Sequence, residues 1–134
     1  MIDSTSEFIQ IARTVRNPKM IASLDVESLF TNVPLLQTID IITESVYHHP
    51  TLKAPRIPPG ILKDLLILCT TKTPFKTPDN LLYQQIEGVS MGTPLGPTIA
   101  NFYMCNLENS TFRDDISLKP PVYCRYIDDI LLII

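Results

Sequence analysis

Tyr126-Ile127-Asp128-Asp129 stands between two apolar runs, Pro121-Val122-Tyr123-Cys124 followed by Arg125 on one side and Ile130-Leu131-Leu132-Ile133-Ile134 on the other. The flanks read as strands and the residues between them as a tight turn. Two adjacent carboxylates would be costly to bury there without a cation, so the pattern reads as a metal-bearing β-hairpin. An Asp-Asp pair by itself is most often a solvated turn. The chain carries its own comparison in Thr111-Phe112-Arg113-Asp114-Asp115-Ile116-Ser117, where the pair lacks strand flanks and has Arg113 beside it. Asp114-Asp115 therefore reads as solvated surface.

A second acidic site lies far upstream. Met20-Ile21-Ala22-Ser23-Leu24-Asp25-Val26 is a short apolar run ending in one carboxylate. A lone Asp at a strand end is usually a cap or a turn. If the two segments are neighbours in one sheet, however, Asp25 and Asp128 face each other. An all-oxygen donor set of this kind suits a hard cation, Mg²⁺ or Mn²⁺. Two such ions about 3.5–4 Å apart can activate a hydroxyl and stabilise a leaving phosphate, which is the chemistry of nucleotidyl transfer.

Between the acids lies Gln85-Ile86-Glu87-Gly88-Val89-Ser90-Met91-Gly92-Thr93-Pro94-Leu95-Gly96-Pro97. Gly88 and Gly92 let the backbone approach a ligand or template closely. Thr93 suits an N-cap and Pro94 a first helical position. Leu95, Ile99, Tyr103 and Leu107 then recur every fourth residue, as one helix face does. Taken alone, this is a turn before an ordinary core helix.

Taken in order, the three segments resemble the palm of the reverse transcriptases. More narrowly, Ser23-Leu24-Asp25-Val26-Glu27-Ser28-Leu29-Phe30-Thr31-Asn32-Val33-Pro34, Gly88 to Pro97 and Tyr123 to Ile130 resemble the Penelope-like retroelement enzymes. The resemblance runs from about Ser6 to Ile134. It implies that Asp25 and Asp128 bind both catalytic metals, that Asp129 completes the acidic cluster as a weaker ligand, and that the Val26 carbonyl is a further ligand. Backbone amides near Ser28 and Leu29 would meet the incoming triphosphate. Phe30 would lie under the nucleotide sugar and exclude a 2′-hydroxyl; by spacing alone it is a core phenylalanine. Gly92 would let the template-side backbone pass. Met91 stands where many reverse transcriptases have a Gln that contacts the nucleotide, although the Penelope-like group commonly has Met. Ile127 would pack against the primer end and incoming sugar, and Tyr126 would lie near the primer. Arg125 reads as a phosphate contact or a solvated strand residue, with the latter preferred.

The implied partners are an RNA or DNA template with its primer and deoxynucleoside triphosphates, and the implied location is intracellular and nuclear. Composition alone would not suggest this. The formal charge is −3, whereas a complete nucleic-acid binder should show a basic face. The apolar run ending at Ile134 lacks a turn or cap, and natural boundaries usually fall in polar linkers. The expectation is a fragment: a fingers remnant over about 1–18 and a palm over about 19–134, without a thumb or most of the fingers, and inactive alone. A hydrophobic content of 45% is enough for a real core. Cys69, Cys105 and Cys124 read as buried thiols in a reducing compartment, and His48-His49 as a helix end. No run approaches the roughly 18–20 apolar residues of a membrane span.

The fold expected is α+β: a small antiparallel sheet carrying the acids on one face, with the catalytic hairpin packed on helices. Helices are expected over 4–15, from Asn32-Val33-Pro34 to about Tyr47, from Pro59-Gly60 to about Thr71 and over 94–109. A first palm strand is expected over 19–25, with hairpins around Pro78-Asp79-Asn80 and over 122–134. The function implied is templated DNA synthesis. A non-catalytic remnant of such an element is the alternative, and a metal-dependent phosphoesterase a weaker one.

Overall fold

In a computed structural model the described residues are 4–51, 53–114 and 119–134. They form ten elements: α1 (Thr5–Thr14), β1 (Ile21–Asp25), α2 (Leu29–Asn32), α3 (Leu35–Tyr47), α4 (Pro59–Thr71), β2 (Pro74–Lys76), β3 (Leu82–Gln84), α5 (Leu95–Asp114), β4 (Val122–Tyr126) and β5 (Asp129–Ile133). All expected elements are present, and the short α2 is an addition. Asp114 ends α5, and Asp115 of the comparison pair lies outside the described residues.

The chain divides into two compact units, 1–29 with 104–134 and 30–103. The first contains a three-stranded antiparallel sheet in the order β1-β5-β4. The second strand of the C-terminal hairpin is therefore central, and β1 adds along its free edge. Side chains alternate across a strand, so the register decides which residues share a face. Ile21 pairs with Ile133, Ser23 with Leu131 and Asp25 with Asp129. Across the hairpin, Val122 pairs with Ile133, Cys124 with Leu131 and Tyr126 with Asp129.

Helices cover both faces of this sheet, not one. On the face of Asp25 and Asp129, toward the other end, Val122, Cys124 and Ile133 are buried and packed by Phe8, Ile11, Ala12 and Val15. Phe8, Ile11 and Ala12 of α1 and its C-cap Val15 recur at helical spacing, and Ser4 caps the other end, its hydroxyl accepting from the Glu7 amide at 3.2 Å. The opposite face meets the C-terminal half of α5. There Phe112 and Tyr123 meet edge to face, with ring centroids 5.2 Å apart.

The second unit holds α2 from Phe30 on, α3, α4, the β2–β3 hairpin and the start of α5. Thr38, Ile39 and Ile42 form the buried stripe of α3. Lys63 of α4 pairs with Asp40 of α3 at 2.5 Å; both are exposed, so the pair adds little stability. The Tyr47 hydroxyl donates to the Ile57 carbonyl and ties the proline-rich loop to the end of α3. His48 caps α3, its amide bonding to the Glu44 carbonyl at 3.0 Å, as its place before Pro50 suggests.

Two expectations fail here. Cys69 is exposed and Cys105 half-buried; only Cys124 is buried. On α5 the buried positions are Gly96, Ile99, Ala100 and Met104, while Leu107 is 44% exposed. The face is rotated by one residue from the stripe of large apolar side chains, because small residues at 96 and 100 allow the closest packing. No helix among the described residues is long and apolar enough to cross a membrane.

Candidate active site at the β4–β5 turn

The acidic residues meet through backbone pairing. Asp25 ends β1 directly opposite Asp129, the first residue of β5. Asp128 is one position along, opposite Val26, and its carbonyl accepts the Val26 amide at 3.0 Å. At the far end of the same ladder Met20 and Ile134 exchange both backbone bonds, each at 2.9 Å. Bonded and non-bonded pairs alternate in an antiparallel ladder, which makes Asp25 and Asp129 a non-bonded pair. In that type the Cα atoms are only about 4.5 Å apart and the side chains closest. Like charges directly opposite are destabilising, so this end of the sheet is disposed to take up positive charge.

Asp25 and Asp129 are exposed and Asp128 is half-buried. The carboxylates therefore open to solvent. Among the described residues no three His, Cys, Asp or Glu side chains converge into a preformed metal site. The donor set nonetheless suits a hard divalent cation in its chemistry: oxygen donors only, on adjoining positions, accessible from solvent. A cleft of about 250 Å³ borders this face, lined by Phe8, Ser23, Cys124, Tyr126, Asp129 and Leu131 among others.

The turn itself is strained. Tyr126 pairs with Asp129, so Ile127 and Asp128 form a two-residue connection. Ile127 has φ +56°. Two-residue hairpins do require positive φ at the first central position, but they normally put Gly or Asn there. A β-branched residue in that conformation costs about 1–3 kcal/mol and persists only where its surroundings hold it. The side chain that reaches this turn from inside the protein is Arg125. This side chain is fully buried, 0% exposed, and its Nη1 donates to the Ile127 carbonyl at 2.8 Å. Its Nε donates to Glu108 Oε1 and its Nη2 to Glu108 Oε2, the latter at 3.3 Å. The Tyr123 hydroxyl donates to the same Glu108 Oε1 at 2.7 Å. Cys105 Sγ lies 3.5 Å from Nη2. Burial pushes the Tyr123 phenol well above its ordinary range, and the hydrogen bond to Glu108 adds to that. Burial alone would lower the Arg125 pKa, but Glu108 more than offsets it, and the guanidinium stays charged.

The reading of Arg125 as a solvated residue is therefore wrong. Its neighbour across β5 is Ile130, on the face turned to α5. Glu108 was missed for a related reason: it continues the row Gly96, Ala100, Met104 and lies on the buried side of α5. A buried-side Glu on the helix and an Arg three residues before an Asp were the available signals.

The other expected site residues divide between the units. Tyr126 is 53% exposed beside the turn. Ser28 turns the chain with φ +52°, and Leu29 is buried at the start of α2. In the second unit Phe30 is half-buried, and Met91 is 70% exposed. The two glycines differ. Gly88 has φ +71°, and a Cβ there would lie 2.4 Å from the Phe30 carbonyl oxygen and 2.6 Å from Thr31 Cα. Its close approach is to the chain itself. The adjoining Val89 amide bonds to the Phe30 carbonyl at 2.7 Å, and Gln85 Nε2 donates to the Glu87 carbonyl at 2.7 Å. Gly92, with φ +96°, has open space where a Cβ would stand. Thr93 caps α5, its hydroxyl accepting from the Gly96 amide at 3.2 Å.

Solved structures with this fold include telomerase. The telomerase of Candida albicans, in complex with a fragment of telomeric RNA, matches with a TM-score of 0.73 at 13% identity, over 98% of this chain and 26% of that one. Apo telomerase from Candida tropicalis, truncated from its C-terminal domain, matches with a TM-score of 0.61 at 13% identity, over 98% of this chain and 29% of that one. The chain thus spans roughly a quarter of the length of these proteins. No curated protein matches it in sequence. The family model for reverse transcriptase (RNA-dependent DNA polymerase) matches residues 1–134. An acidic hairpin turn paired with an upstream acidic strand, on a palm-like α+β fold, is therefore found in a chain that belongs to the reverse transcriptase family.

Proposed function

We propose that this chain is the palm, with a remnant of the fingers, of a reverse transcriptase of the Penelope-like retroelement type, and that it supports template-directed DNA synthesis from deoxynucleoside triphosphates. The observation that carries the reading is the register of β1 on β5, with Asp25 opposite Asp129 and Asp128 in the adjoining turn. Asp25 and Asp128, with Asp129 and the Val26 carbonyl, would hold Mg²⁺ or Mn²⁺. Bound there, such ions would favour attack by a primer 3′-hydroxyl and stabilise the leaving pyrophosphate. The chain's own residues supply the rest. The β1–β5 ladder fixes the spacing of the acids. By the family resemblance, backbone amides near Ser28 and Leu29 would meet the triphosphate, Phe30 and Ile127 would border the sugar, Tyr126 would lie toward the primer, Met91 would stand at the nucleotide, and Gly92 would let the template-side backbone pass. Positioning of this kind provides much of the rate in such reactions. The working location would be intracellular and nuclear, with a primed RNA or DNA template as partner.

The test uses the full open reading frame that encodes the chain. Primer extension on a primed RNA template, dependent on Mg²⁺ or Mn²⁺ and lost in Asp128→Asn, is the expected result. Extension that survives Asp128→Asn would refute the assignment. No extension in a frame that still binds Mn²⁺ would mark a non-catalytic remnant. Release of nucleoside monophosphate without primer growth would indicate a phosphoesterase.

A further inference from the structure

We propose that Arg125 is a positioning residue, clamped by Glu108, that sets the Ile127–Asp128 turn in the conformation that presents Asp128 opposite β1. This rests on the reading of Asp25, Asp128 and Asp129 as a metal site. The turn contains a β-branched residue at φ +56°, a conformation that local sequence does not favour. Arg125 is the fully buried side chain that donates to the carbonyl of that same residue, at 2.8 Å. A guanidinium can serve in this way only if its charge is met. Glu108 meets it through two hydrogen bonds, to Nε and Nη2, in the fork geometry that Arg offers and Lys lacks. The Tyr123 hydroxyl donates to the same Glu108 Oε1 that takes the Nε bond, at 2.7 Å.

The result is a continuous polar path from α5 to the turn: Tyr123 to Glu108, Glu108 to Arg125, Arg125 to the Ile127 carbonyl. The next link is the Asp128 carbonyl, which receives the Val26 amide at 3.0 Å and so locks the turn to β1 beside Asp25. Burial of the cation has a further consequence. A partner buried behind a ligand cannot be replaced by water when it is removed, so the turn relaxes and the ligand moves with it. The sites that carry the metal and the sites that fix it are thus on different elements, hairpin and helix, joined through one side chain.

The experiment measures two quantities on the whole chain: amide hydrogen exchange, residue by residue, and Mn²⁺ binding by electron paramagnetic resonance titration. The variants are Arg125→Lys, which keeps the charge but loses the fork, and Glu108→Gln, which keeps the shape but loses the charge. Expected is faster exchange at Val26, by about tenfold or more, while the mid-ladder pair Ala22 and Leu132 stays protected. Mn²⁺ affinity should fall about tenfold, as for removal of an outer-shell partner of a metal ligand, and the fall should vanish when Arg125→Lys is made in an Asp128→Asn background. Glu108→Gln should move both readouts in the same direction by less. Exchange that rises equally at Val26, Ala22 and Leu132 would show that Arg125 is core packing, and unchanged Val26 exchange in a folded variant would also overturn the proposal. If the unaltered chain binds no Mn²⁺, the metal-site reading fails, while Val26 exchange still decides whether Arg125 sets the turn. Should Arg125→Lys not fold, Glu108→Gln decides by the same criterion.

Discussion

Replacing Gly88 with Ala introduces one methyl group where the chain has no room for it. The new Cβ would stand 2.4 Å from the Phe30 carbonyl oxygen and 2.6 Å from both Thr31 Cα and the Thr31 carbonyl oxygen. All three are backbone atoms, so no side-chain rotation relieves the clash. The residue must also keep φ +71°, which costs an L-residue roughly 1–2 kcal/mol. Overpacking adds about 1–3 kcal/mol. Gly88→Ala should therefore destabilise by about 2–5 kcal/mol, largely by prising the Val89 amide from the Phe30 carbonyl, now bonded at 2.7 Å. Gly60 provides the control. It lies in α4 with nothing within 4 Å of an added Cβ, so Gly60→Ala should stabilise by about 0.5–1 kcal/mol through helix propensity. Urea unfolding followed by circular dichroism reads both, with m-values checked for change. Opposite signs for the two variants are expected. A Gly88→Ala cost below 1 kcal/mol would refute the close approach of the glycine loop to Phe30 and Thr31.

Three further outcomes follow from named contacts. Glu108→Ala leaves the buried Arg125 guanidinium uncompensated and should cost about 3–5 kcal/mol; an effect under 1 kcal/mol in denaturant titration would mean the pair is solvated. Burial raises the Cys124 thiol above its ordinary range and raises the Tyr123 phenol as well. The unfolded chain then releases these protons first, so the contribution of these two groups is full below the ordinary thiol pKa of about 8.5 and is lost as pH rises above it; unfolding midpoints at about pH 8 and about pH 10 check this, and equal values would contradict it. In an extending polymerase, Phe30→Ala should lower discrimination against ribonucleotides more than it lowers deoxynucleotide use; equal losses of kcat/KM on both would make Phe30 a packing residue.

The hairpin was readable in the sequence because its signals are local: strand flanks on both sides of a polar turn. The same holds for α1, for α4 opening at Pro59 and for the Thr93 cap of α5. The register was not readable. Nothing local says whether Asp25 faces Asp128 or Asp129, and a slip of one residue moves every side chain to the other face. Pairing of Met20 with Ile134 at the far end of the ladder places Asp129 there. The face of α5 was misjudged because periodicity counts large apolar residues, while helix packing is set by where the backbone can come close. Leu95, Ile99, Tyr103 and Leu107 gave the stronger pattern, but Gly96 and Ala100 mark the contact. That offset of one hid Glu108, and with it Arg125, since a charge next to a turn defaults to solvent unless its partner is in view. Cys69 failed similarly: a cysteine inside an apolar helix is usually buried, but it falls on the open side of α4.

The measurement that tests the account most directly is Mn²⁺ binding to the chain itself, titrated by electron paramagnetic resonance in the unaltered protein and in Asp25→Asn, Asp128→Asn and Asp129→Asn. Saturable binding, competed by Mg²⁺, is expected. Binding should be lost or weakened by at least about tenfold, or roughly 1.4 kcal/mol, in the Asp25 and Asp128 variants, and weakened less in the Asp129 variant. Each variant should keep the circular dichroism spectrum of the folded chain. Binding indifferent to Asp25, or no binding at all by the folded protein, would show that the two acidic segments share a sheet without sharing a metal.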